Sequence, residues 1–167
     1  MTGLSRTGEG LRLLRLLAVL AVWPTGIWAG PADRQLVVTQ DSGTEIARFE
    51  VPQGTGWCVL WNHSVKGFAV SDCYENRAGH MVLVWSHLPD FAAGLDHIPG
   101  RGRQVSDGQG GYLILDIDEA VPGDAYILRP GSAFVDHRLQ VGDRTISLSA
   151  LAPHARLKIA LTRNPAP

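Results

Sequence analysis

Gly56-Trp-Cys-Val-Leu-Trp-Asn-His63 and Phe68-Ala-Val-Ser-Asp-Cys-Tyr-Glu75 are two runs rich in aromatic and β-branched residues, separated by Ser64-Val-Lys-Gly67. Side chains of that kind fit a pleated surface, and a short polar break between two such runs reads as a β-hairpin. Outward from this hairpin the same pattern repeats. Strands are expected at about Gln35-Thr39, Glu45-Val51, Met81-Ser86, Tyr112-Ile117, Ala125-Arg129, Arg138-Val141, Thr145-Leu148 and Ala155-Leu161, with Gly, Pro, Asn or Asp between them. No stretch after residue 33 keeps a helical apolar period with caps at both ends. The 19 glycines and 10 prolines suit a chain that turns often. The expectation is an all-β fold, a single antiparallel sandwich or barrel-like domain of about eight to ten short strands.

One segment departs from this rhythm. From His87 to Gly111 no convincing strand is visible, through Leu88-Pro-Asp-Phe-Ala-Ala-Gly-Leu95 and Pro99-Gly-Arg-Gly-Arg103. A loop of that length in a compact domain is usually functional or mobile, and the plainer alternative is a connection crossing between sheets with a helical turn at Phe91-Leu95.

At 167 residues the chain holds one domain, and its 45% hydrophobic and 19% charged residues fit a globular core, neither a disordered tail nor a multi-span membrane protein. At the amino terminus Arg6, Arg12 and Arg15 precede the apolar run Leu16-Leu-Ala-Val-Leu-Ala-Val-Trp23; Pro24 and Gly26 then break it before Ala29, Gly30 and Ala32. That is the order of a signal peptide, with cleavage expected near Ala29 or Ala32, or of an uncleaved anchor. The domain plan is therefore a leader or membrane anchor over 1–32 and one all-β domain over 33–167, exported to the periplasm and tethered to the inner membrane if the leader stays. The formal charge is -1 and the only lysines are Lys66 and Lys158. A nucleic-acid partner, which needs a basic face, is not expected, and membrane contact is expected only through the leader.

Cys58 and Cys73 are the only cysteines. With the turn centred on Val65-Lys66, Ser64 faces Gly67 and Cys58 falls opposite Cys73, which an oxidising compartment would turn into a disulfide. A longer turn would make the pair diagonal, and two separate buried thiols are the alternative. Neither cysteine sits in a C-x-x-C arrangement, so a thioredoxin-like role has no support.

The densest polar patch is Asn62, His63 and Ser64 at one strand end with Asp72 on the return strand. Adjacent residues on a strand point to opposite faces, so His63 and Ser64 do not form a nucleophile-base pair without a bulge, and no G-x-S-x-G elbow accompanies them. The six histidines show no H-E-x-x-H or comparable spacing, and a metal site built from His63 with His137 or His87 would need distant strands to converge. No cofactor or metal is expected. Arg101 and Arg103, with Gly94 nearby, are candidate anion or partner contacts. Asp107-Gly-Gln-Gly-Gly111 reads as a hairpin turn into Tyr112, and Asp116, Asp118 and Glu119 lack the glycine and terminal glutamate spacing of a calcium loop.

In their order along the chain, Trp61-Asn-His-Ser-Val65, Asp72, Phe91-Ala-Ala-Gly-Leu95, Asp107-Gly-Gln-Gly-Gly-Tyr112, Leu128-Arg-Pro-Gly131 and His137-Arg-Leu139 resemble the domain of unknown function eighteen-fifty family of small exported bacterial proteins. The resemblance covers about Val37 to Leu161. The family pattern has glutamate where this chain has Asp72, and the Cys58-Cys73 pair is not part of it. Members are commonly encoded beside TRAP-type transporters with a TAXI-class binding protein. The resemblance therefore implies an accessory role at the outer face of the inner membrane, with the TRAP membrane subunit or its solute-binding protein as partner, and it carries over no reaction. The alternatives are a periplasmic small-anion or metal-binding domain using His63, Asp72, Arg101 and Arg103, and a hydrolase using His63 and Ser64.

Overall fold

A computed structural model describes residues 34–88 and 100–164. The amino-terminal leader region and residues 91–95, with Gly94, lie outside the described residues. The strands are β1 (Arg34–Gln40), β2 (Glu45–Glu50), β3 (Gly56–Asn62), β4 (Ala69–Arg77), β5 (His80–Leu88), β6 (Arg103–Ser106), β7 (Tyr112–Leu115), β8 (Glu119–Ala120), β9 (Ala125–Leu128), β10 (Arg138–Val141), β11 (Arg144–Ser147) and β12 (Leu157–Arg163). They form two antiparallel sheets. One runs β2-β1-β12-β9; the other runs β11-β10-β3-β4-β5-β7-β6, with β8 paired to β5.

The sheets pack face to face through alternate residues of each strand, the arrangement expected when each strand is apolar on one side. Leu36 and Val38 of β1 and Leu157, Ile159 and Leu161 of β12 meet Trp57 and Val59 of β3, Met81 of β5 and Leu139 and Val141 of β10 in one core. A second, smaller cluster of Leu83, Leu88, Tyr112, Ile114 and Ile117 fills the far end of the larger sheet. The sandwich is open, with β9 at one edge of the small sheet and β6 at one edge of the large one.

Two short strands were not visible in the sequence. Arg103-Gln-Val-Ser106 lies inside the stretch read as strandless, because it carries a single apolar residue and sits mostly exposed at an edge. Glu119–Ala120 is too short to show any period. The expected His87–Gly111 loop accordingly shrinks: His87 and Leu88 end β5, and β6 and β7 form a hairpin across Asp107–Gly111 on the same sheet. The expected strand through Leu148 ends one residue sooner. Ser147 caps a single helical turn, Leu148–Leu151, by accepting from Ala150 N at 3.1 Å.

The β3-β4 hairpin pairs Cys58 with Cys73, and the two sulfurs are bonded across a Cα–Cα distance of 4.1 Å. On β5 an extra residue, Val84, enters between the partners of Tyr74 and Cys73. This bulge turns Trp85 outward beside Cys73 and brings Ser86 inward opposite Asp72. Ile117 N donates to the Val84 carbonyl at 3.1 Å, which gives the bulge a partner for its backbone oxygen.

Candidate functional site

Strand alternation sorts the hairpin into two faces. Cys58, Cys73 and Trp85 look away from the small sheet, while Val59, Asp72 and Ser86 look toward it. Register then places Leu139, Val59, Asp72, Ser86 and Ile114 in one row across five adjacent strands. Four of these five are buried, and Asp72 is the only ionisable member.

The Asp72 carboxyl accepts a hydrogen bond from Ser86 Oγ at 2.6 Å through Oδ1. Burial pushes its pKa up; the Ser86 hydrogen bond and the nearby Arg101 charge work in the opposite direction, and Glu119 adds to the rise. Two cavities open beside it. One, about 150 Å³, is lined by Trp61, Val70, Asp72, Ser86, Arg101 and Ile114 among others. The other, about 170 Å³, lies between the sheets and is lined by Val59, Trp61, Asp72, Tyr74, Tyr126, Leu128 and His137. Trp61 and Asp72 belong to both.

The walls of the second cavity are aromatic. Tyr74 stacks on Tyr126 with ring centroids 5.2 Å apart, and Trp61 stacks on His137 at 5.9 Å. Burial raises the Tyr126 phenol far above its ordinary pKa, with the Tyr74 and Asp72 charges adding to the effect, and among the described residues Tyr126 Oη has no hydrogen-bond partner. Burial also raises the Tyr74 phenol, with the Asp72 and Glu119 charges adding to the rise and Arg101 opposing it. His137 Nδ1 accepts from Gly131 N at 3.1 Å, which places the proton of the neutral ring on Nε2. Burial lowers its pKa, so the ring favours that neutral form.

Arg101 reaches the site and Arg103 does not. Arg101 Nε donates to Glu119 at 2.7 Å while lining the first cavity; Arg103 pairs with Asp116 at 3.3 Å on the surface. Gly102 between them has φ of +66°, and a Cβ there would meet the Leu115 carbonyl oxygen at 2.4 Å, so only glycine fits the turn that separates their directions. His63 is engaged elsewhere. Its Nδ1 accepts from the Val65 and Lys66 amides at 3.3 and 3.2 Å, and its ring lies against Phe68, so it organises the hairpin turn. Ser64 is exposed in that turn, and Asn62 Nδ2 donates to the Phe134 carbonyl at 2.9 Å. No hydrogen bond or ion pair joins His63 to Asp72 among the described residues.

The glycine-rich turn is filled by its own carboxylate: Gln109 N and Gly111 N both donate to Asp107 Oδ1, and Asp107 Oδ2 meets His87 Nε2 at 2.9 Å. These bonds, the His87 contact first, lower the Asp107 pKa. Asp116, Asp118 and Glu119 each pair with a different arginine, Arg103, Arg77 and Arg101. Sequence reasoning named Asp72 but missed Ser86, Tyr74 and Tyr126 as its neighbours. The alternation from Cys73 was the one available signal, since it turns Asp72 toward the interior.

A larger concavity, about 570 Å³, opens around the disulfide and is lined by Cys58, Cys73, Trp85, Arg77 and Gln140 among others. Among the described residues no helix is long and apolar enough to cross a membrane. The bonded cysteine pair is compatible with an exported protein.

Comparison with curated proteins and with solved structures returned no match. A family model does match, over residues 58–148, which takes in β3 to β11 and the whole Asp72 row but leaves β1, β2 and β12 outside. That stretch exceeds half of the chain, and the chain belongs to the family of that model, the Domain of unknown function (DUF1850).

Proposed function

We propose that this protein is an exported accessory module of TRAP-type solute uptake, of the TAXI class, that works by binding and not by catalysis, with the cleft around Asp72 as its binding site. The observation that carries the binding reading is Asp72 itself. A half-buried carboxyl in a row of buried side chains carries a desolvation cost, which the one hydrogen bond from Ser86 offsets only in part. A ligand is what such a group would serve, and here it opens onto two cavities, the second of them with aromatic walls.

The transporter association draws its support from the family resemblance and from a leader that would deliver the domain to the outer face of the inner membrane. Tagged protein purified from gently solubilised membranes is expected to bring TRAP subunits with it. Recovery of none would remove the association while leaving the binding site to be judged separately. A second reading, a periplasmic small-ligand domain acting alone, is favoured by the cavities; it predicts ligand-induced thermal stabilisation with no transporter subunit recovered.

A further inference from the structure

The cavity between the sheets has a definite chemical preference. Among the described residues of its wall Asp72 alone carries a formal charge, because the His137 ring favours its neutral form. An anion would therefore face a carboxylate with no cation opposite it in this chamber. A divalent metal would find one carboxylate and a histidine whose Nδ1 already accepts the Gly131 amide, too few ligands for a stable site. An apolar guest would leave Tyr126 Oη, buried and without a partner among the described residues, still unpaired, and would offer nothing to the second oxygen of Asp72, whose only hydrogen bond among the described residues runs through Oδ1 to Ser86.

We infer that this inter-sheet cavity is a receptor for a primary alkylammonium group. An –NH3+ carries three donors and no acceptor, so it matches the free Asp72 oxygen and Tyr126 Oη together. Its positive charge lies beside the aromatic rings of Trp61 and Tyr74, which line the same cavity, Tyr74 stacked between Trp57 and Tyr126 and Trp61 stacked on His137. Its alkyl stem packs on Val59 and Leu128. A space of about 170 Å³ suits such a head group with a few carbons, since an apolar cavity of about 150 Å³ accommodates benzene. A quaternary ammonium would keep the cation–aromatic contact but could not hydrogen-bond either oxygen.

The inference rests on the reading of the Asp72 cleft as a binding site, and the probes separate the two. Purified exported protein is titrated with n-propylammonium, tetramethylammonium and acetate at matched ionic strength, following tryptophan fluorescence and thermal midpoint. Saturable binding of n-propylammonium is expected, with tetramethylammonium weaker and acetate silent. Asp72→Asn should weaken n-propylammonium by more than about tenfold and Tyr126→Phe by about tenfold, the loss of a hydrogen bond to a charged group. Near-UV circular dichroism establishes that both conservative variants are folded. Binding of acetate in preference to n-propylammonium would overturn the ligand class and keep the binding site. Equal binding of n-propylammonium by wild type and Asp72→Asn would place it elsewhere and overturn the inference. No response to any probe, with a crystal structure showing only water in the cavity, would overturn the inference and the binding reading together.

Discussion

Cys73 and Asp72 are neighbours in the chain, and they serve opposite ends. Cys73 faces outward and is bonded to Cys58 across the hairpin; Asp72 faces the small sheet and holds one hydrogen bond from Ser86 in a row of otherwise uncharged residues. The outer face fastens the hairpin covalently, while the inner face accepts a poorly solvated carboxyl. The difference teaches that rigidity and strain are placed on the same pair of strands, so the strand that carries the costly group is also the one that cannot slip in register.

The largest effect should come from removing inner-face packing near the charged row. Trp57→Ala deletes a side chain only 2% exposed and should cost about 3–5 kcal/mol in chemical denaturation. A loss near 1 kcal/mol would mean that the two sheets are less firmly packed at β3 than the core implies. Next comes the outer face. Replacing both cysteines by serine, which opens a loop with a sequence separation of 15, should cost about 3 kcal/mol, read as a lowered denaturation midpoint that reductant no longer shifts. If the cost is negligible, the strand ladder alone fixes the register and the contrast between the faces loses its basis.

Asp72→Asn should act with the opposite sign. Because burial raises the Asp72 pKa above its ordinary value, the folded state holds the proton more tightly than the unfolded chain. Stability from this group is full below the ordinary carboxylate pKa and is lost as pH rises through the raised one. Burial first, then Ser86, Arg101 and Glu119, set the size of that loss. The variant should therefore gain stability at neutral pH, by less than either loss above, and nothing in strong acid, measured as denaturation midpoints across pH. A variant less stable than wild type at neutral pH would show that the carboxylate supports the fold. The smallest effect belongs to Arg103→Ala, less than about 0.5 kcal/mol, since its pair with Asp116 is exposed on both sides.

Much of the fold was legible because its signals are local. The β3-β4 hairpin, the cross-strand cysteines and the turn at Asp107–Gly111 all follow from residue type and spacing over a few positions. β6 was not legible, because an exposed edge strand such as Arg103-Gln-Val-Ser106 has no apolar alternation to read. Of the polar cluster named from sequence, His63 turned out to cap its own turn. Nearness along the chain grouped it with Asp72, whereas the backbone amides of Val65 and Lys66 are its partners.

By itself the sequence determined an all-β fold and a hairpin with a cysteine in each strand, because residue type and alternation along a strand are properties of the chain alone. That the cysteines are directly opposed and bonded, with Asp72 on the other face, came from the structure. Only the tertiary structure decided what that acid meets. Ser86 faces Asp72 because the Val84 bulge shifts β5 by one residue, and Tyr126 reaches it from the other sheet, from a strand far along the chain. A bulge and a sheet-to-sheet contact depend on packing between distant segments, and packing of that kind leaves no periodic trace in the residues that make it.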